Sequence, residues 1–98
     1  MSSALQVMRY IDVKWIHGNR EVPTRLVSEI GEDEFETRKL EFFADGSVTY
    51  ASTAIRSGDT VLGTVEVPLL EEINKDKEFK GIEINQSDFE ELWIKHSK

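Results

Sequence analysis

Four short runs of alternating apolar and polar residues follow one another in the first half of the chain, and turn signals separate them. That serial period-two pattern constrains the fold more than any other feature. A strand buried on one face shows a repeat of two, and a helix cannot satisfy it. In Met8 to Ile16, the residues Ile11, Val13 and Trp15 alternate with Asp12 and Lys14. Gly18-Asn19 and Pro23 mark a loop, and Thr24 to Ile30 follows as a second strand with Leu26 and Ile30 on one face. Gly31-Glu32-Asp33-Glu34 closes a hairpin onto Phe35 to Phe43, where Leu40 and Phe42 point one way. Asp45-Gly46 is a strong two-residue hairpin signal, leading into Ser47 to Ser52 with Val48 and Tyr50.

The second half is less regular. Residues 53–67 are broken by Ser57-Gly58-Asp59 and Gly63, and Val61, Leu62, Val65 and Val67 support only short extended pieces. Pro68 suits the first turn of a short helix through Leu69, Leu70 and Ile73. Phe79 to Ile84 reads either as a short fifth strand or as an extended arm. Ser87 and Glu90 fit a capping box, and Phe89, Leu92, Trp93 and His96 make one apolar stripe at helical spacing.

These elements predict an α+β fold: a four- to five-stranded antiparallel meander, covered on one face by a C-terminal helix, plus one short helix. The expected core is Ile11, Val13, Trp15, Leu26, Ile30, Leu40, Phe42, Val48, Tyr50, Leu70, Phe89, Leu92 and Trp93. With 98 residues the chain is expected to be a single domain, residues 1–7 forming an N-terminal extension. A domain this size buries roughly 60–65% of its unfolded surface, which supports one modest core.

Composition narrows the function. Hydrophobic residues make up 39% and charged residues 32%, the mix of a globular soluble chain. No run approaches the roughly 20 apolar residues of a membrane span, and Met1 to Val7 has no basic-then-apolar pattern of a secretory signal. The cytoplasm is the expected compartment. The absence of cysteine excludes disulfides, thiol catalysis and thiolate metal sites. A formal net charge of -7 disfavours nucleic acid and favours a basic protein partner.

Catalytic patterns are missing. The two histidines, His17 and His96, lie far apart in sequence and in no metal-binding or triad motif. Glycine spacing matches neither a dinucleotide loop nor a P-loop. An enzyme would need a buried carboxylate beside His17. No catalytic residue, metal ligand or cofactor is therefore expected. One charge feature is localised. Glu29, Glu32, Asp33, Glu34 and Glu36 fall within eight residues that contain no base, around the second hairpin. They read either as a solvated turn or as an acidic tip that meets a basic surface. Asp45 and Asp59 are lesser acidic candidates, expected on nearby loops. Phe35, Phe43 and Arg56 are candidate anchors, since tight interfaces concentrate energy in a few aromatic and arginine side chains.

Several segments also resemble a known family. They are Lys14-Trp15-Ile16-His17; Glu36 to Gly46 followed by Tyr50-Ala51-Ser52; Pro68 to Phe79; and Phe89-Glu90-Glu91-Leu92-Trp93. In this order they resemble a family of small bacterial proteins described only as a domain of unknown function, over about residues 8–94. Those proteins look like the immunity proteins of polymorphic toxin systems, including contact-dependent growth inhibition. The resemblance implies a non-catalytic inhibitor that blocks the active site of a cognate basic toxin domain, such as a nuclease. It assigns no functional residues. The alternative is a small-ligand-binding or regulatory domain, as a homodimer through an exposed sheet face.

Overall fold

A computed structural model describes residues 8–58 and 60–97. Asp59 and the expected extension 1–7 lie outside the described residues. Five strands, β1 (Arg9–Trp15), β2 (Arg25–Ile30), β3 (Glu36–Phe42), β4 (Val48–Ser52) and β5 (Phe79–Ile84), form one antiparallel sheet in the order β4-β3-β2-β1-β5. Helix α1 (Leu70–Ile73) precedes β5, and α2 (Gln86–His96) follows it. The α+β fold is the one the alternation predicts. The segment 79–84 is a strand and not an arm, and it pairs with β1 rather than with its predecessor β4. The chain between β4 and β5 must therefore cross the whole sheet.

Turn chemistry fixes the hairpins. Gly46 adopts φ +91°, a left-handed value that costs glycine little, and the Asp45 carboxylate accepts hydrogen bonds from the Ser47 N–H and hydroxyl at 2.9 and 2.6 Å. The N-cap of α2 is Asn85, whose side chain accepts from the Asp88 N–H at 2.8 Å. The expected serine cap, Ser87, lies inside the helix instead, because Asn85 supplies the same acceptor two residues earlier.

The core differs from the expected one in a specific way. Both sheet faces are apolar, and each has its own cover. On one face Tyr10, Val27 and Leu40 pack under Phe89, flanked by Phe42, Tyr50, Leu92 and Trp93. On the other, Ile11, Val13 and Ile30 pack under Val67, Leu70 and Ile73, beside Phe79. The residues Ile11, Val13, Ile30 and Leu70 thus belong to a different layer from Phe89 and Trp93. Register explains this. Tyr10 faces Glu29 and Ile84 across the sheet, whereas Ile11 faces Ser28 and Glu83, and neighbouring residues of a strand point to opposite faces.

Arg38 locks α2 to the sheet. Its guanidinium donates to Glu29 at 2.8 and 2.6 Å and to Glu90 of α2 at 3.0 and 2.6 Å, and it lies over the Phe89 and Trp93 rings at 4.8 and 5.2 Å. Burial pushes the Glu29 carboxyl up, but hydrogen bonds from Arg38 and Thr37, with the Arg38 charge, more than reverse this and hold it below its ordinary value. Hydrogen bonding to Arg38 also lowers Glu90. Burial, with the neighbouring Glu29 charge, raises Tyr10.

Candidate functional site

Among the described residues of the crossing segment 53–69 there is no helix or named strand, yet the segment is tied down at several points. The Ser57 N–H donates to the Tyr50 carbonyl at 2.7 Å, and Arg56 bridges Ala51, so the outer edge of β4 is covered. Thr60, only 2% exposed, donates to Glu41 at 2.7 Å and bonds the Thr49 hydroxyl. The Gly63 N–H donates to Glu36 at 2.7 Å, and the Val67 N–H to the Glu34 carbonyl at 2.7 Å. Arg9 completes the series, donating to Glu34 at 2.8 Å and to the Val67 carbonyl at 2.9 Å. Beneath this strap Lys39 lies between Glu36 and Glu41 at 3.2 and 3.8 Å, so the buried ammonium is paired on both sides.

Between the strap, α1 and the sheet runs an open groove of about 560 Å³. Ile11, Val13, Leu26, Val67, Ile73 and Phe79 form its apolar floor and walls. Of its acids Glu72 and Asp76 are exposed, whereas Glu36, bound to Lys39 and the Gly63 amide, lies within it beside Ser28. Gly81 lets α1 sit close to β5: a Cβ there would meet Leu70 at 2.7 Å and Val13 at 3.2 Å. The Asn74 side chain, just after α1, accepts from the Gly81 N–H at 2.7 Å and donates to its carbonyl at 3.0 Å, which blocks the outer edge of β5 as well. Among the described residues seven large apolar side chains are exposed, and four of them, Ile55, Val61, Val65 and Leu69, belong to the strap. Val65 and Leu69 adjoin Val67 and Pro68 of the groove lining in sequence, so exposed apolar surface continues the groove there.

The acids expected to form a tip are mostly engaged within the fold. Glu29 is buried and bound to Arg38, Glu34 is bound to Arg9, and Glu36 holds Lys39 and the strap. Glu34 takes φ +70°, an uncommon backbone for a non-glycine residue, and this turn presents its carbonyl to Val67. Only Glu32 and Asp33 are exposed, and Asp33 caps the Phe35 N–H at 3.1 Å. Phe35 is half-buried in the same hairpin. Half-buried Phe43 and exposed Asp45 lie at the opposite end of β3, roughly 20 Å away by strand rise, so the fold does not bring them to the hairpin. Ser47 holds the Asp45 carboxyl below its ordinary value. Arg56 is exposed on the strap.

His17 is committed to its turn. Its Nδ1 accepts the Asn19 N–H at 3.0 Å, so Nε2 carries the proton and donates to the Pro23 carbonyl at 2.7 Å, while the ring edge meets Trp15. Asp12, five residues before it, is bound by Arg25 at 2.9 and 2.7 Å. Among the described residues no three His, Cys, Asp or Glu side chains are placed to hold a metal ion, and no helix is long and apolar enough to cross a membrane.

Sequence reasoning missed the groove. Its signal was present in the valines of the 53–67 segment and in the Pro68 to Phe79 stretch, but only the crossing to β5 brings them over Ile11 and Val13.

The model of a family described as Domain of unknown function (DUF6881) matches residues 9–98. No curated protein and no solved structure matches the chain.

Proposed function

Because the chain belongs to the family described as Domain of unknown function (DUF6881), a description that assigns no activity, we propose a function from its surface: a non-catalytic domain that docks a basic protein. The observation that carries this reading is the strap. It holds Val65 and Leu69 exposed next to Val67 and Pro68 of the apolar groove, with the exposed acids Glu72 and Asp76 also on its lining. An open groove flanked by exposed apolar side chains favours a protein surface over an enclosed small molecule. Docking of an apolar side chain flanked by lysine or arginine would use both the floor and the rim.

Within this reading the partner is a cognate bacterial toxin domain with a basic cleft, and the chain acts as its immunity protein by covering that cleft. The likeness to immunity proteins and the net charge of -7 support this choice. The test is calorimetry against the C-terminal domain of a secreted toxin encoded beside the gene. The expected result is salt-sensitive binding that Val65→Asp with Leu69→Asp weakens by roughly a hundredfold, with an unchanged melting temperature. Absence of binding at low salt, or full affinity in the double variant, would overturn the proposal.

The groove volume also falls within the range of small-ligand pockets, roughly 300–1,000 Å³. A small apolar ligand is the second reading. Ligand displacement that leaves partner binding intact would favour it.

A further inference from the structure

We propose a second docking surface, on the opposite sheet face, that takes a short acidic protein segment on Lys14, Lys80 and Ile82. Helix α2 crosses that face on a diagonal. It begins at Asn85, just past β5, places Phe89 on Tyr10 and Trp93 on Tyr50, and ends with His96 against Phe42. It therefore leaves uncovered the corner formed by the end of β1 and the start of β5. Lys14, Lys80 and Ile82 are all exposed there, Ile82 at 61%.

The register gives this corner an unusual charge pattern. Lys14 pairs with Arg25 on one side and with Lys80 on the other, so three cations stand side by side across three strands. Like charges directly opposite one another destabilise a sheet. Asp12 neutralises only Arg25, through two hydrogen bonds. Lys14 and Lys80 have no ion-pair partner among the described residues. An acid at either position would relieve the row, and the chain is rich in acids elsewhere. An unrelieved pair of ammonium groups beside an exposed isoleucine is complementary to carboxylates flanking an apolar side chain. A long polyanion fits less well, because the chain's charge of -7 repels it as a whole while this corner offers it only Lys14 and Lys80. This corner lies on the face away from the strap and groove, so it does not depend on the reading above.

The test uses the full chain and a short peptide rich in glutamate and leucine, followed by amide chemical shifts and by fluorescence anisotropy. The expected result is that Lys14, Lys80 and Ile82 shift on titration, and that Lys14→Glu with Lys80→Glu weakens binding roughly tenfold or more. Val65→Asp with Leu69→Asp leaves binding unchanged. Thermal melting checks that the lysine double variant is folded. The single variant Lys80→Glu, which places an acid opposite Lys14, should melt at or above the parent. Absence of binding, equal binding by the lysine double variant, or tighter binding of a single-stranded oligonucleotide or of anionic vesicles than of the peptide would overturn the proposal.

Discussion

Replacing Arg38 with methionine should destabilise the fold more than its partly exposed position suggests. The variant keeps much of the aliphatic packing under Phe89 and Trp93 but removes four charge-assisted hydrogen bonds. The two carboxylates do not count equally. The Glu90 side chain is 35% exposed, so its half of the bridge contributes about 0–1 kcal/mol. The Glu29 side chain is 9% exposed and would be left as a buried charge held only by Thr37, a loss that typically costs about 3–5 kcal/mol. A total near the lower end, about 3–4 kcal/mol, lowers the melting temperature by roughly 12–20 °C in a domain of this size. Urea denaturation and calorimetry would measure both. The double variant Arg38→Met with Glu29→Met should regain most of the loss, since two apolar side chains replace the pair. Acid titration gives a second reading with a definite sign. In the parent, Glu29 and Glu90 are held below their unfolded value, so their stabilisation is complete above about pH 4.3 and is lost as pH falls through the folded values. Without Arg38, burial acts on Glu29 with less opposition and raises it. The single variant should then recover stability as pH falls from 7 toward about 4.3. A loss below about 1 kcal/mol, no rescue in the double variant, or unchanged acid behaviour would refute the reasoning.

Other consequences are simpler. Phe89→Ala should cost about 3–5 kcal/mol in chemical denaturation, because the ring is fully buried under α2. Gly81→Ala pushes the Leu70 side-chain end and the Val13 methyl aside and should cost about 1 kcal/mol, the low end of overpacking, while shifting α1 amide resonances at the groove wall. Asn74→Ala should speed hydrogen exchange at the Gly81 amide and increase self-association, since it uncovers the β5 edge. His96 is held below its ordinary value by burial and then by Lys95 and Arg25, so its ring should titrate below about 6.5 by NMR. The folded state resists protonation there, so stability should fall as pH drops below about 6.5, and His96→Gln should flatten that slope.

The strands were legible because their signal is local. Ile11-Asp12-Val13-Lys14-Trp15 carries its own period, and Asp45-Gly46 carries its own turn. What covers each face was not legible. The row Asp12 and Lys14 looks like a solvent face from β1 alone, yet Tyr10 at its head lies under Phe89, because α2 returns diagonally and covers only part of that face. Likewise Ile11 and Val13 look like the floor for the C-terminal helix, but the 53–69 crossing and α1 reach them first. The acidic hairpin was misleading for the same reason. Charges are visible in a sequence, whereas their partners are not: Glu29 and Glu34 are neutralised by Arg38 and Arg9, and Arg38 in turn reaches Glu90, 52 residues further on.

Those paired acids also bear on how so small a chain can leave four large apolar side chains of one segment in water. A crossing segment without helix or strand is ordinarily held by burying its own apolar residues. Here it is held largely by polar anchors. Glu41 takes Thr60, Glu36 takes the Gly63 amide, and the carbonyl of Glu34 takes the Val67 amide. Thr60 and Val67 turn inward at those points, while Val61, Val65 and Leu69, which the anchors do not need, stay exposed. Polar anchoring fixes the backbone without consuming the apolar surface. A segment fixed in this way meets a partner with little ordering left to lose, which is the main cost that weakens binding by loops. The acids Glu34 and Glu36 thus contribute to the proposed docking by building the platform, one step removed from the contact surface that their charge alone suggests.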